Sequence, residues 1–226
     1  MATVFITGAS RGIGQQLATL YLERGNTVYA TARQLDDLDP LISRFGAKVM
    51  PVPLDVADGA AVDALAHVVD GPLDLLINNA GVIGPKGGNA LTMDFPAFAR
   101  TLQVNTLAPL RVVHALLPAL RRSAAARVVT ISSQMGIMAH QQSNRIAYRA
   151  SKAAVNKVMQ GLATDLEPES IAVMMMHPGW VRSDMGGQGA DISVEESAAG
   201  LVKVIDDLSL ETTGSFKAWD GQTLPW

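Results

Sequence analysis

Short apolar runs alternate with stretches of helical spacing from one end of this 226-residue chain to the other. The runs Thr3–Thr7, Thr27–Thr31, Lys48–Pro53, Leu73–Asn78, Arg127–Ser132, Ile171–Met176 and Ser215–Ala218 predict strands. Several are apolar at successive positions rather than every second one, as parallel strands covered on both faces require. Between them, Ile13, Leu17, Leu20 and Tyr21 form one helical stripe. Val62, Leu65, Val68 and Val69 form a second. Val155, Val158, Met159 and Leu162, within a helix over Ala147–Leu166, form a third. A long helix is predicted over Phe98–Arg122, ending in basic residues that suit a helix C-terminus. The alternation predicts an α/β fold built on a doubly wound parallel sheet of about seven strands. No linker, low-complexity tract or repeat divides it, so residues 1–226 read as a single domain. The glycine-rich stretches Gly81–Gly88 and Asp184–Asp191 read as loops that follow strands, on the side where such sheets bind ligands.

Composition narrows the function classes. Hydrophobic residues are 48% of the chain and charged residues 17%, the latter below the usual ~25%. Such a deficit fits a sheet buried on both faces, or subunit contacts. The net charge is -3 with no basic run, which points away from nucleic acid and anionic membrane surfaces. There is no cysteine, which removes disulfides, thiolate catalysis and Cys-ligated metal sites. No apolar run reaches the roughly 18 residues of a membrane span, and the sequence opens directly on a strand pattern without a basic, apolar export signal. A cytoplasmic location is expected.

Thr7-Gly8-Ala9-Ser10-Arg11-Gly12-Ile13-Gly14 lies between the first strand and the first helix. Glycines there allow a tight turn and let backbone approach a pyrophosphate, while the helix N-terminus offers free N–H groups. The spacing G-x-x-x-G-x-G differs from the general dinucleotide fingerprint G-x-G-x-x-G. A plain tight turn is the alternative. The second strand ends Thr31-Ala32-Arg33, where an acidic residue would bind the ribose 2′-OH of NAD. Ala32 takes that place. Arg33 and Arg11 suit the 2′-phosphate of NADP(H) instead, with NAD(H) as the second choice. As the alternative, both are solvated surface charges.

T-G-A-S-R-G-I-G resembles the cofactor motif of the short-chain dehydrogenase/reductase family, and the family's further motifs follow in order. They are Asn78-Asn79-Ala80-Gly81 after the fourth strand, Asn105 in the long helix, Ser133 after the fifth strand, Tyr148-x-x-x-Lys152, and Pro178-Gly179 after the sixth. The resemblance covers nearly the whole chain. It implies a Rossmann-like fold with a substrate loop near 184–192, and a dinucleotide held by Gly8, Ser10, Arg11, Gly12, Ile13, Gly14 and Arg33. It adds Asp55 and Val56 near the adenine, then Asn79, Ala80 and Gly81. Tyr148, Lys152, Pro178, Gly179, Val181 and Ser183 would complete the cofactor site, with the Val181 backbone and the Ser183 hydroxyl on the nicotinamide carboxamide. Asp55 otherwise reads as a turn residue, with Asp58 the better helix cap.

Tyr148 and Lys152 are four residues apart in a helical pattern and so share one helix face. An ammonium beside a phenol favours phenolate and lowers its pKa. By the resemblance, Tyr148 exchanges a proton with the carbonyl oxygen, Lys152 also holds the nicotinamide ribose, Ser133 orients the oxygen, and Asn105 holds a water that links Lys152 to solvent. Hydride moves between nicotinamide and carbon, so no metal is required. One departure concerns spacing. The family's serine often precedes its tyrosine by thirteen residues, which lands here on Met135. Ser133 keeps the S-x-x-G pattern with Gly136, which implies two extra residues in the loop Ile137–Arg145. Ser132 is the fallback. Of the four histidines, at 67, 114, 140 and 177, none has metal-ligand spacing, and His140 is a candidate for the substrate mouth.

Tyr148-Arg149-Ala150-Ser151-Lys152, His177-Pro178-Gly179-Trp180-Val181 and the terminal Trp219–Trp226 look like the C-factor-like, carbonyl-reductase-related branch of the family. That implies an NADP(H)-dependent oxidoreductase acting on a small, mostly apolar ketone or aldehyde, or the corresponding alcohol. Gln134, Met135, Trp180 and Met185–Asp191 are the expected pocket. A homodimer or homotetramer through the two long helices is implied as well. The branch also includes developmental signalling proteins, so a dinucleotide-binding regulator with little turnover is the rival reading.

Overall fold

The central strands of this protein carry side chains to two different cores. In a computed structural model, which describes residues 1–85 and 89–226, Val4 and Ile6 face one apolar cluster while Phe5 faces the other. Val129 and Val128 divide in the same way, as do Met174 and Val173. This is why the strands read as unbroken apolar runs: alternation persists, but both faces are dry. The strands are β1 (Thr3–Ile6), β2 (Thr27–Ala32), β3 (Val49–Pro53), β4 (Leu75–Asn78), β5 (Arg127–Ile131), β6 (Ala172–His177) and β7 (Ser215–Ala218). All pair in parallel, in the order β3-β2-β1-β4-β5-β6-β7.

Helices α1 (Gly12–Glu23), α2 (Asp39–Phe45) and α7 (Val194–Asp206) cover one face. Helices α3 (Gly59–Asp63), α5 (Ala108–Leu120) and α6 (Ile146–Leu166) cover the other, with α4 (Phe95–Leu102) leading into α5 and packed on α6. The strand order reverses between β1 and β4. Their neighbouring C-terminal ends therefore send the chain to opposite sides and open a crevice, the place where such sheets bind ligands.

Two expectations about helices need correction. The predicted helix Phe98–Arg122 begins earlier, at Phe95, where the Asp94 carboxylate caps it by accepting from Ala97 N at 3.0 Å. It is then interrupted by a π turn over Gln103–Leu107, and α5 ends at Leu120. A local cause is visible: Pro109 has no N–H to give the Asn105 carbonyl four residues back. The stripe Val62–Val69 is buried as expected but is not one helix. After α3, capped by Asp58, the chain tightens into a 3-10 turn over Ala64–His67. The three-residue spacing of Val62, Leu65 and Val68 suits that tighter winding. Of the glycine-rich stretch Gly81–Gly88, Lys86, Gly87 and Gly88 lie outside the described residues.

Candidate active site

The loop after β1 is held shut by hydrogen bonds from the end of β4. Thr7 Oγ1 accepts from the backbone N–H groups of Asn79 and Ala80, both at 3.0 Å, and Asn79 Nδ2 donates to the carbonyls of Thr7 and Gly8 at 3.0 and 2.9 Å. Gly8 adopts φ +67°, and a Cβ on Gly14 would sit 2.1 Å from the Gly8 carbonyl oxygen. Gly14 is thus required for α1 to start against this turn. Arg11, at the cap position of α1, makes no side-chain capping bond, and no acid lies in the first turn. The N–H groups at this helix end face a cleft of about 530 Å³ with neither a side-chain cap nor a carboxylate to neutralise them. Such an end fits a phosphate.

The cleft brings most of the expected residues together. Gly8, Ser10, Arg11, Gly12, Ile13 and Gly14 line it from the glycine loop, Arg33 from the end of β2, and Asp55 and Val56 from beyond β3. Asn79, Ala80 and Gly81 line it from β4, Tyr148 and Lys152 from α6, and Pro178 and Ser183 from beyond β6. Gly179 and Val181 do not line it. Gly179, at φ +85°, lies against Ile192 and Trp219, and Val181 bridges to Ile192, so both shape the floor from behind. Asn105 also lies behind the wall. Its carboxamide accepts from Val82 N at 2.9 Å and donates to Val82 O and Ser151 Oγ at 2.8 and 3.0 Å, which ties the segment after β4 to α6.

Arg11 does not stand open toward a 2′-phosphate. Its guanidinium pairs with Asp184 at 2.7 Å, joining the glycine loop to the second glycine-rich loop across the cleft. Both side chains are about three-quarters exposed, so the pair contributes at most ~1 kcal/mol. Arg33 is exposed beside Ala32. Asp55 accepts from Ala57 N at 2.9 Å and lies 3.9 Å from Arg100, a cationic cleft residue that the motifs did not single out.

At the inner end, α6 presents Tyr148 and Lys152 to the end of β5. Burial pushes the Tyr148 phenol up to about 12, against smaller opposing effects from the Ser133 hydroxyl and the Arg145 charge. This corrects the expectation that Lys152 lowers it. The Lys152 ammonium turns instead to the Ile131 carbonyl, 2.8 Å away, and lies 5.6 Å from the phenol ring centre. Burial also brings the lysine down to about 8. The two serines divide their tasks. Ser133 accepts from Met135 N at 3.1 Å and does not itself line the cleft, whereas Ser132 lines it and donates to Asn156 Oδ1 at 2.5 Å. Gly136 has a physical reason in S-x-x-G: a Cβ there would lie 2.7 Å from the Lys152 carbonyl carbon. Sequence reasoning missed Arg145 and Asn156. Asn156 was within reach, since it continues the four-residue spacing of Tyr148 and Lys152.

Among the expected pocket residues, Trp180 is half exposed and donates to Gly186 O at 2.9 Å, and Met185 lines the cleft. His67, His114 and His140 are exposed, and among the described residues no group of three or more metal-ligating side chains comes together. No described helix is long and apolar enough to cross a membrane.

A family model described as short chain dehydrogenase matches residues 2–191. The C-signal protein of Myxococcus xanthus is 43% identical over 161 residues, covering 71% of this chain and 96% of that protein. The 1-hydroxy-2-glutathionyl-2-methyl-3-butene dehydrogenase of Rhodococcus sp. (strain AD45) is 35% identical over 234 residues, covering 100% of both. The NADPH-bound carbonyl reductase from chicken fatty liver superposes with a TM-score of 0.93 at 32% identity, covering 100% of this chain and 99% of that one. Carbonyl reductase from Pseudomonas aeruginosa PAO1 in complex with NADP gives 0.89 at 36% identity, with 100% of both chains covered. Sheet order, cleft and sequence likeness converge, and the chain belongs to the short chain dehydrogenase family.

Proposed function

We propose that this protein is an NADP(H)-dependent oxidoreductase that works as a carbonyl reductase on a small, mostly apolar ketone or aldehyde. The observation that carries the reading is that Tyr148 and Lys152 meet, beside Ser132, at the inner end of a cleft whose other end is an uncapped, glycine-built helix N-terminus, with Ser133 one residue beyond the lining. Bound NADPH supplies hydride to the carbonyl carbon. The glycine loop and α1 hold the pyrophosphate, Arg33 beside Ala32 favours the 2′-phosphate, and the Arg11–Asp184 pair closes over the outside. Ser183 and the Val181 backbone receive the carboxamide, with Pro178 and Gly179 fixing their turn.

Tyr148 gives its proton to the carbonyl oxygen, while the Ser133 hydroxyl orients that oxygen. A phenol held up near 12 is protonated at neutral pH and so has a proton to give. Lys152, charged below about 8, would hold the nicotinamide ribose. Asn105 fixes Val82 and Ser151, and from there would hold a water that links Lys152 to solvent. The reading includes a cytoplasmic, single-domain protein that forms a homodimer or homotetramer. The contact would run through the long helix of α4 and α5 together with α6, and Leu107, 60% exposed at the junction of α4 and α5, supports it. Light scattering at micromolar concentration tests this, and a monomer refutes it.

The test of function is a panel of apolar ketones and aldehydes with NADPH and NADH, followed by loss of nicotinamide absorbance. Turnover with a preference for NADPH is the expected result. The likeness to the C-signal protein keeps the regulator reading in view, and dinucleotide binding without turnover across the panel favours it.

A further inference from the structure

Three successive residues at the end of β5 each meet α6. The Ile131 carbonyl accepts from Lys152 Nζ at 2.8 Å, the Ser132 hydroxyl donates to Asn156 Oδ1 at 2.5 Å, and the Ser133 side chain favours the ionised form of the Tyr148 phenol. The three α6 partners, Tyr148, Lys152 and Asn156, are spaced by four and so lie in one row. The first and third contacts belong to the proposed chemistry. The middle one has no part in it, and its cost is plain. Asn156 is 3% exposed within a helix face otherwise given to Val155, Met159 and Leu162, and Ser132 is 1% exposed. The Asn156 Nδ2, together with Thr130 Oγ1 and Asn78 Oδ1, has no hydrogen-bond partner among the described residues. An apolar residue at 156 would relieve the first of these. A buried polar pair kept at such a cost calls for a use.

We propose that Asn156 is a positioning residue for the carbonyl reduction, acting through Ser132. This rests on the function proposed above. Ser132 is held from both sides, by Asn156 through its hydroxyl and by the Met176 carbonyl through its N–H at 2.7 Å. That fixes how far β5 runs along α6. The position of Ser133 against Tyr148, one residue on, and of the Lys152 anchor, one residue back, follow from it. A displacement of an ångström at such a site costs up to about 10²-fold in rate.

The test compares Ser132→Ala, Asn156→Leu, the double variant and Asn156→Asp, with Tyr148→Phe as control, using NADPH and 4-nitrobenzaldehyde. Ser132→Ala and Asn156→Leu should each lower kcat by about 10- to 100-fold, with KM for NADPH changing little. The double variant should be no worse than the poorer single one, because the two residues act as a unit. Asn156→Asp keeps an oxygen for Ser132 and should recover most of the rate. Amide hydrogen exchange over Ser132–Gly136 should rise in Asn156→Leu and not in Asn156→Asp. If Asn156→Leu does not fold, Ser132→Ala and Asn156→Asp carry the comparison. Losses that multiply in the double variant, or a lowered Tm with unchanged kcat and exchange, overturn the proposal. Undiminished turnover in Tyr148→Phe overturns the proposed function and this inference with it. A dead Tyr148→Phe beside unaffected Ser132→Ala and Asn156→Leu overturns the inference alone.

Discussion

Tyr148 is where a single atom decides the reading. Phe at this position keeps the ring and its packing and removes the hydroxyl that Ser133 meets. Tyr148→Phe should therefore retain NADPH affinity and thermal stability while losing about 10²–10⁴-fold in kcat for carbonyl reduction, measured by absorbance and by fluorescence titration. Turnover near the wild-type rate would refute the mechanism. Lys152 sets the pH dependence. Burial leaves it charged below about 8 and neutral above, so kcat/KM for reduction should be level near pH 7 and decline as pH rises through about 8. A profile flat to pH 10 would remove the lysine charge from the mechanism. Arg33→Asp replaces an attraction for a 2′-phosphate with a repulsion and should shift the NADPH:NADH affinity ratio toward NADH. Tyr148, Lys152 and Ser133 were legible as motif residues. The direction of the Tyr148 shift was not, because it follows from how deeply the phenol is buried and where the lysine turns, and neither is written in a four-residue spacing.

At the scale of elements, the proposed catalytic residues depend on how the turn after β5 docks on α6. Gly136 lies so close to the Lys152–Ala153 backbone that a methyl group cannot be added without moving one of them. Gly136→Ala should lower stability by ~1–3 kcal/mol, as overpacking does, and lower kcat more than NADPH affinity, since the glycine loop is elsewhere. Urea unfolding and steady-state kinetics check this, and an unchanged kcat would separate the turn from the chemistry. The central strands were readable from sequence because each of their apolar runs feeds two cores at once. The π turn was not. Helical periodicity averages over the extra residue in a widened turn, and Pro109 was its only local trace. The Ser132–Asn156 contact was hidden for a different reason: it joins residues 24 positions apart, on elements whose register only the folded sheet sets.

For the molecule as a whole, the succession of strands and helices announces a parallel sheet, its order is a property of the folded structure, and a buried histidine at the end of β6 ties its stability to pH. His177 ends β6 between the cleft and the C-terminal segment, 8% exposed, with Nδ1 unpartnered among the described residues and its carbonyl accepting from Trp219 N at 2.9 Å. Burial holds it down to about 4, against a smaller upward pull from Asp220. The unfolded chain binds a proton at this histidine near pH 6.5, whereas the folded chain refuses it until about 4. Between those values the unfolded state carries more protons, so stability falls as pH falls, by up to ~1.4 kcal/mol per pH unit from this group. Above pH 6.5 the histidine is neutral in both states and contributes no slope. His177→Gln keeps a polar side chain of similar reach and removes the titration. Its urea midpoint should therefore hold nearly constant from pH 6.5 to 5, a range above most carboxylate titrations, while that of the wild type declines. Parallel curves for the two proteins would mean that His177 accepts its proton without opening the fold, and that the junction of β6, β7 and the C-terminal segment is looser than its packing implies.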